Sequence, residues 1–129
     1  MKITIFTCEW LPYTSAEIVW KQQKRFTEEN IIVKINCTGQ INSADILKTF
    51  SNNSDGVIIL GCDEKECHYI NGSQNCHKII DQTAEILDKL GIERQRLQFE
   101  TFSNIDSDRF LNLVNNFAQK IKALSINFN

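Results

Sequence analysis

The run Gly56-Val-Ile-Ile-Leu-Gly-Cys62 decides the fold, because an unbroken apolar stretch of this length is typical of a strand buried on both faces of a parallel sheet. Two other β-rich runs also end in cysteine: Lys2-Ile-Thr-Ile-Phe-Thr-Cys8 and Ile31-Ile-Val-Lys-Ile-Asn-Cys37. Helical patterns separate the runs, and strands separated by helices form right-handed βαβ units. The sequence therefore predicts an α/β fold with a doubly wound, mostly parallel sheet of about four strands and helices on both faces.

Periodicity and turn signals set the expected boundaries of the elements. The predicted strands are 2–7, 31–35, 56–60 and 96–102. The first two predicted helices begin near 13–17 and 42–44, and the last two cover about 74–90 and 106–124. We expect Pro12 in the loop after the first strand, with Thr14 or Ser15 as the cap of the first helix. Asn30 is expected to end that helix, and Gly91 to end the third.

Composition excludes several classes of function. The chain has 129 residues, of which 42% are hydrophobic and 23% charged, and this predicts one domain spanning 1–129. A net charge of −2 gives no electrostatic reason to bind nucleic acid or an anionic membrane. No apolar stretch approaches the ~20 residues of a membrane-spanning helix, and we find no signal-peptide pattern. Five cysteines without the spacing of a disulfide scaffold favour a reducing, cytoplasmic location.

Four of the five cysteines stand at or just beyond the predicted strand ends. Cys8, Cys37 and Cys62 close the three apolar runs, and Cys67 follows Cys62 by five residues. If the runs are neighbouring parallel strands, their carboxyl ends span about 10 Å. Open α/β folds place their functional groups at this edge. Because thiolates that converge in a reducing compartment usually hold a metal or do redox chemistry, the sequence predicts such a site.

Other interpretations of these residues remain open. Cysteine is among the most buried residue types, so each position is also consistent with simple core packing. Cys62 and Cys67 are alternatively a thiol-redox pair, or zinc ligands together with His68 or His77. Cys76 lies in a predicted helix and is expected to take no part in the site.

At these residues the chain resembles the delta-subunit family of methyl-viologen-reducing hydrogenase. The resemblance covers roughly residues 2 to 125, and its most specific segment joins Gly61-Cys62 to Cys67-His68-Tyr69. The other matching segments are Phe6-Thr-Cys8-Glu-Trp10 with Tyr13 and Ala16, Cys37-Thr-Gly39-Gln-Ile41, Ile46-Leu-Lys-Thr-Phe50, Asp55-Gly56-Val57, Asn71-Gly72, and Leu90-Gly-Ile-Glu93 with Arg96-Leu97.

The resemblance implies a flavodoxin-like subunit that carries one 2Fe–2S cluster. Its ligands would be Cys8, Cys37, Cys62 and Cys67, the number of thiolates that such a cluster needs. Trp10, His68 and Tyr69 are candidates for donating hydrogen bonds to sulfur or shielding it from water. The implied partners are a hydrogenase or other dehydrogenase subunit, and a flavin-containing, electron-bifurcating heterodisulfide reductase A-like subunit.

The chain departs from the family pattern at one position, where Leu11 replaces the second cysteine of a Cys-x-Trp-Cys motif. Two interpretations follow. Either that cysteine is not a required ligand and the four others hold the cluster, or the cluster is lost and the protein is an adapter between redox subunits. The presence of all four remaining cysteines favours the first interpretation.

Overall fold

Strands and helices alternate along the chain in the computed structural model, which describes residues 2–8, 11–22, 29–35, 41–62 and 72–126. The strands are β1 Lys2–Cys8, β2 Glu29–Ile35, β3 Gly56–Cys62 and β4 Leu97–Phe102. The helices are α1 Leu11–Lys21, α2 Ser43–Ser51, α3 Gly72–Lys89 and α4 Ser107–Ile126, and a 3-10 turn at Arg94–Arg96 precedes β4.

The four described strands form one sheet in the order β2-β1-β3-β4, and every neighbouring pair is parallel. This confirms the predicted α/β class, and the order matches the first four strands of the flavodoxin-like arrangement. Strand β1 lies in the interior of the sheet, where Thr7 pairs with Lys34 of β2 and with Leu60 of β3. The three runs that end in or near cysteine are therefore adjacent in the sheet, with β1 between β2 and β3, which meets the condition set for a cysteine site.

Two helical layers cover the two faces of the sheet. Alternate residues of a strand point to opposite faces, and each face of this sheet has its own apolar core. The core beneath α1 and α4 contains Ile3, Ile5, Ala16, Val19, Ile58, Leu60, Phe102, Phe110, Val114, Phe117, Ala118 and Ile121. The core beneath α2 and α3 contains Phe6, Ile41, Ile46, Val57, Ile59, Cys76, Leu87 and Leu97. Helices on both faces were the predicted arrangement.

The first helix differs from its prediction at both ends. Pro12 is buried in the first turn of α1 instead of the preceding loop, a position where proline is tolerated because the first N–H groups of a helix have no intrahelical partner. Ser15 is not a cap: it lies inside the helix, and its Oγ donates to the Leu11 carbonyl at 2.8 Å. Thr14 is also inside α1, and Asn30 belongs to β2 instead of ending the helix.

Other local predictions are confirmed. The second helix begins where it was predicted to open, and Asn42 caps it: its side chain accepts a hydrogen bond from the Asp45 N–H at 2.9 Å. Gly91 follows α3 with φ of 78°, the left-handed conformation expected at this end of a helix. Strands β1 and β3 run further than predicted, so that Cys8 and Cys62 are the last residues of their strands.

Hydrogen bonds close the amino-terminal edge of the sheet. Thr4 Oγ1 and Ser54 Oγ lie 2.9 Å apart, and Ser54 Oγ also donates to the Gly56 carbonyl at 2.8 Å. The Lys2 N–H donates to Asp55 Oδ2 at 2.8 Å. Among the residues that the structure describes, no helix is both long and apolar enough to span a bilayer.

Candidate metal centre

The carboxyl ends of β1 and β3 form the point where the chain changes direction across the sheet. From β1 the chain continues to β2 on one side, and from β2 it returns to β3 on the other side of β1. In open α/β sheets, ligands and cofactors bind in the crevice outside such a switch point. Cys8 and Cys62 are the final residues of these two strands, so the topology places both thiols at the crevice.

The two thiols lie close together and away from solvent. The distance from Cys8 Sγ to Cys62 Sγ is 3.9 Å, and the residues are 3% and 2% exposed. Two thiolates bound to one tetrahedral metal ion through bonds of ~2.3 Å are about 3.8 Å apart. The pair therefore has the spacing of two ligands on a single iron or zinc ion, without rearrangement of either strand.

This closeness is not a consequence of the strand pleat. Cys8 alternates with Phe6, which belongs to the α2/α3 core, whereas Cys62 alternates with Leu60 in the α1/α4 core. Their side chains therefore start from opposite faces of the sheet. The β1–β3 ladder ends at the pair Thr7 and Leu60, so both cysteines extend past it. The sulfurs meet over the end of the sheet, where no further backbone pairing separates them.

Helix α1 adds a favourable field to this edge. It begins at Leu11, three residues after Cys8, and its first turn contains no acidic side chain. The N-terminus of a helix carries a partial positive charge, which favours a thiolate over a thiol nearby. Leu11 itself packs against the α1/α4 core. At the position where the resemblance leads us to expect a second cysteine, this protein thus has a partly buried apolar side chain.

The remaining predicted site residues lie outside the described part of the chain. These are Cys37 and Cys67, predicted as ligands, and Trp10, His68 and Tyr69, predicted to lie around the sulfurs. Within 2–8, 11–22, 29–35, 41–62 and 72–126, no group of three or more His, Cys, Asp or Glu side chains is arranged to hold a metal. The structure thus brings two of the four predicted ligands together, and the ligand role of all four stays a prediction.

Cys76 and His77 occupy different surroundings. Cys76 is fully buried in the α2/α3 core, and its exclusion from the site stays a prediction. His77 is exposed on α3, and its ring meets the edge of the Phe99 ring with centroids 4.6 Å apart. This contact with β4 gives His77 a packing role.

One polar group at this edge was missed by the sequence reasoning. Thr7 is 0% exposed, and its Oγ1 is the one buried side-chain oxygen or nitrogen in the described chain that has no hydrogen-bond partner. Such a group costs free energy unless a partner is supplied. The available signal in the sequence was a hydroxyl residue directly before Cys8 in a predicted strand.

A second concave feature lies at the opposite edge of the sheet. An open pocket of about 270 Å³ is lined by Phe50, Ser54, Asp55, Gly91, Ile92, Glu93 and Arg96. Arg96 Nε donates to Glu93 Oε2 at 2.6 Å, and this hydrogen bond lowers the pKa of the Glu93 carboxyl below its ordinary value. Arg96 also donates to the Asp55 carbonyl at 2.9 Å. The charged groups that line the pocket thus bond to one another or to the backbone, so we assign the pocket a structural role as a junction between α3 and β4.

The fold and the cysteine pair together define an α/β protein with a candidate metal or redox centre at the sheet's switch point. The family model for the delta subunit of methyl-viologen-reducing hydrogenase matches residues 3–125. The chain belongs to this family.

Individual relatives agree with this assignment. The chain is 32% identical over 123 residues to an iron-sulfur subunit of the vhc F420-non-reducing hydrogenase of Methanococcus voltae, covering 95% of this chain and 85% of that one. It is 26% identical over 122 residues to an iron-sulfur subunit of the F420-non-reducing hydrogenase of Archaeoglobus profundus, covering 95% of this chain and 89% of that one.

A second kind of relative is much longer. The chain is 27% identical over 122 residues to the A subunit of the ferredoxin/F(420)H(2)-dependent CoB-CoM heterodisulfide reductase of Methanosarcina acetivorans, and 95% of this chain is covered. The match spans only 15% of the length of that relative. A region similar to nearly all of this chain is therefore built into a larger heterodisulfide reductase polypeptide.

Proposed function

We propose that this protein is an electron-transfer subunit that binds one 2Fe–2S cluster through Cys8, Cys37, Cys62 and Cys67. The observation that carries the proposal is the buried Cys8–Cys62 pair, with sulfurs 3.9 Å apart at the switch point of the sheet. That spacing suits two ligands of one iron. The pair supplies half of a four-thiolate set, and Cys37 and Cys67 are proposed to complete it.

Each described residue has a specific task in this proposal. When bound, the cluster supplies a site that takes up and releases single electrons. Pairing of Cys8 with Ile35 of β2 and of Cys62 with Phe102 of β4 fixes the positions of the two cysteines. Burial of both residues excludes water, and the N-terminus of α1 stabilises negative charge on the sulfurs. The protein thereby controls the reduction potential through burial and the local field.

We further propose that the subunit relays electrons between a hydrogenase or other dehydrogenase and a flavin-containing, electron-bifurcating heterodisulfide reductase A-like subunit. The two kinds of relative support this. Some are named iron-sulfur subunits of hydrogenases, and others are heterodisulfide reductase A subunits in which the matching region is part of the same chain. A cytoplasmic location suits the reduced thiols of the described cysteines.

Two observations favour functions other than cluster binding. The 3.9 Å sulfur separation equally suits a zinc ion or a thiol-redox pair, since zinc–thiolate bonds have the same length of ~2.3 Å. The packing of Leu11 into the core suits a clusterless adapter that joins redox subunits. The cluster, the zinc ion and the two metal-free candidates predict different metal contents, and fast alkylation of a cysteine with a lowered pKa separates the thiol-redox pair from the adapter.

The test is anaerobic absorption and EPR spectroscopy of the freshly purified protein, with iron, sulfide and zinc measured on the same sample. We expect two iron and two sulfide per chain, visible charge-transfer bands and an EPR signal after reduction. One zinc and no iron would support the zinc candidate. A colourless, metal-free protein that cannot be reconstituted would support the adapter, and either result would overturn the cluster proposal.

A further inference from the structure

The Thr7 hydroxyl is buried at the candidate metal centre without a protein partner. Thr7 is 0% exposed, and no donor or acceptor among the described residues reaches its Oγ1. In the unfolded chain a hydroxyl group bonds to water, and burial removes that bond. Buried hydroxyl groups therefore nearly always have another hydrogen-bond partner. An orphaned hydroxyl beside a candidate cofactor site therefore suggests that the cofactor is its partner.

The register of the sheet places the side chains of Thr7 and Cys62 on the same face. Thr7 alternates with Ile5 and pairs with Leu60, and both of these belong to the α1/α4 core. Cys62 follows Leu60 by two residues and so shares that face. Thr7 and Cys62 are thus diagonal neighbours on one face of the parallel sheet, and with strands about 4.8 Å apart and about 3.3 Å per residue their Cα atoms are about 8 Å apart. A group bound beside Cys62 on this face is therefore near the Thr7 side chain.

Thr4, on the same strand, shows that the missing partner is not a general property of β1. Thr4 is also buried, at 5% exposure, yet its Oγ1 lies 2.9 Å from Ser54 Oγ. The amino-terminal edge therefore satisfies its threonine within the protein. Within the described residues, the carboxyl-terminal edge does not.

We infer, on the basis of the proposed function, that Thr7 is a positioning residue. Its hydroxyl donates a hydrogen bond to a sulfur of the bound cluster that lies next to Cys62. Hydrogen bonds to cluster sulfurs stabilise the more negative, reduced state and raise the reduction potential. In the metal-free protein the same hydroxyl has no partner and lowers stability. The Thr7 hydroxyl thus stabilises the reduced state of the loaded protein and lowers the folding stability of the metal-free protein.

The test compares Thr7→Val, which keeps the shape and removes the hydroxyl, with Thr7→Ser, which keeps the hydroxyl. In the iron-loaded protein we expect Thr7→Val to disfavour reduction about tenfold, a shift of about 59 mV to lower potential for a one-electron couple. Thr7→Ser should retain the wild-type potential. In the metal-free protein Thr7→Val should raise the melting temperature by about 4 °C, because a buried unsatisfied group is removed.

Thr4→Val is the matched control. It removes a hydroxyl that is already bonded, so it should lower the melting temperature and leave the potential unchanged. A loaded Thr7→Val protein with the wild-type potential would overturn the inference while the cluster proposal stands. A lowered melting temperature of metal-free Thr7→Val would overturn it too, because the hydroxyl would then have a protein partner. A wild-type protein without iron would instead refute the proposed function, and the inference with it.

Discussion

The two edges of the sheet treat polar groups in opposite ways. At the amino-terminal edge Thr4, Ser54 and Asp55 bond to one another or to backbone groups, and Arg96 joins them through the Asp55 carbonyl. At the carboxyl-terminal edge two thiols lie 3.9 Å apart and the buried Thr7 hydroxyl has no partner within the described chain. Both edges are built from the same strands, so the difference separates an edge whose side chains stabilise the fold from the edge at which we propose a site.

The contrast between the edges gives a simple criterion for function. A polar group that is buried and satisfied by the protein contributes to folding, whereas one that is buried and left unsatisfied lowers stability and needs another reason to be there. Changes at the amino-terminal edge should therefore alter stability alone. Changes at the carboxyl-terminal edge should alter metal binding or its redox properties.

The largest effect is expected from removing a thiol at the carboxyl-terminal edge. Cys62→Ser or Cys8→Ser should abolish most iron binding and the visible absorption, because a 2Fe–2S cluster needs four thiolate ligands. The measurement is iron and sulfide content after anaerobic reconstitution. Cys76→Ala is the matched control, since Cys76 is equally buried but lies in the α2/α3 core, and it should keep its iron. Full iron content in Cys62→Ser would remove that residue from the site.

A large loss of stability is expected from Gly56→Ala at the start of β3. A Cβ at Gly56 would lie 2.9 Å from Phe117 Cε2 and 3.1 Å from Ile121 Cδ1, closer than van der Waals contact allows. Both side chains are buried in the α1/α4 core and have little room to move, so we expect a cost of about 1–3 kcal/mol. Urea unfolding measures this cost.

Gly91→Ala provides the comparison for that variant. A Cβ at Gly91 meets nothing within 4 Å, but its φ of 78° is unfavourable for alanine, so we expect a cost of about 1 kcal/mol. If Gly56→Ala were no more destabilising than Gly91→Ala, α4 would pack less tightly on the sheet than the structure shows. Iron content per folded chain should stay unchanged in both.

A smaller loss is expected from Ser54→Ala. This change removes the hydrogen bond to the Gly56 carbonyl and leaves Thr4 Oγ1 buried without its partner, so we expect a cost of about 1–2 kcal/mol. Ser51→Ala is the control, because the Ser51 hydroxyl donates to the Lys48 carbonyl at an exposed position and should change stability by less than about 0.5 kcal/mol. Equal effects would mean that the amino-terminal edge is open to water.

The smallest effect is expected from Glu93→Gln, and it depends on pH. The hydrogen bond from Arg96 lowers the pKa of the folded-state Glu93 carboxyl below its ordinary value of 4.5. The ion pair therefore stabilises the protein fully above about pH 4.5, and this stability is lost as pH falls through the lowered pKa. The pair is half-buried, so we expect Glu93→Gln to cost less than about 1 kcal/mol at about pH 7 and nothing near about pH 2.

Thermal unfolding at both pH values checks this prediction. Asp88→Asn is the control, because Asp88 pairs with Arg94 at a position where both side chains are about half exposed. That variant should have almost no effect at neutral pH. A larger effect from Asp88→Asn than from Glu93→Gln would contradict the assignment of Arg96 to a structural junction.

Much of the fold follows from local patterns in the sequence. The apolar run that ends at Cys62 is typical of a strand buried on both faces, and the alternating run that ends at Cys8 is also typical of a strand. The apolar stripe of the last helix, including Phe110, Val114 and Phe117, predicts the buried face of α4. The start of α1 was not predictable in this way, because Pro12 suits a loop and the first turn of a helix equally well.

The candidate site, like the fold, was predictable from the sequence only in part. By itself, the sequence determined the parallel α/β class and the positions of Cys8 and Cys62 at strand ends, since both depend on residue type and spacing along the chain. The tertiary structure decided that β1 and β3 are neighbours, that their terminal sulfurs come within 3.9 Å although the pleat directs them to opposite faces, and that Thr7 is left without a partner in the described chain while Thr4 is not. These properties depend on strand order and register, which bring together residues far apart in the sequence, such as Cys8 and Cys62 at a separation of 54 positions. No local pattern records such a contact.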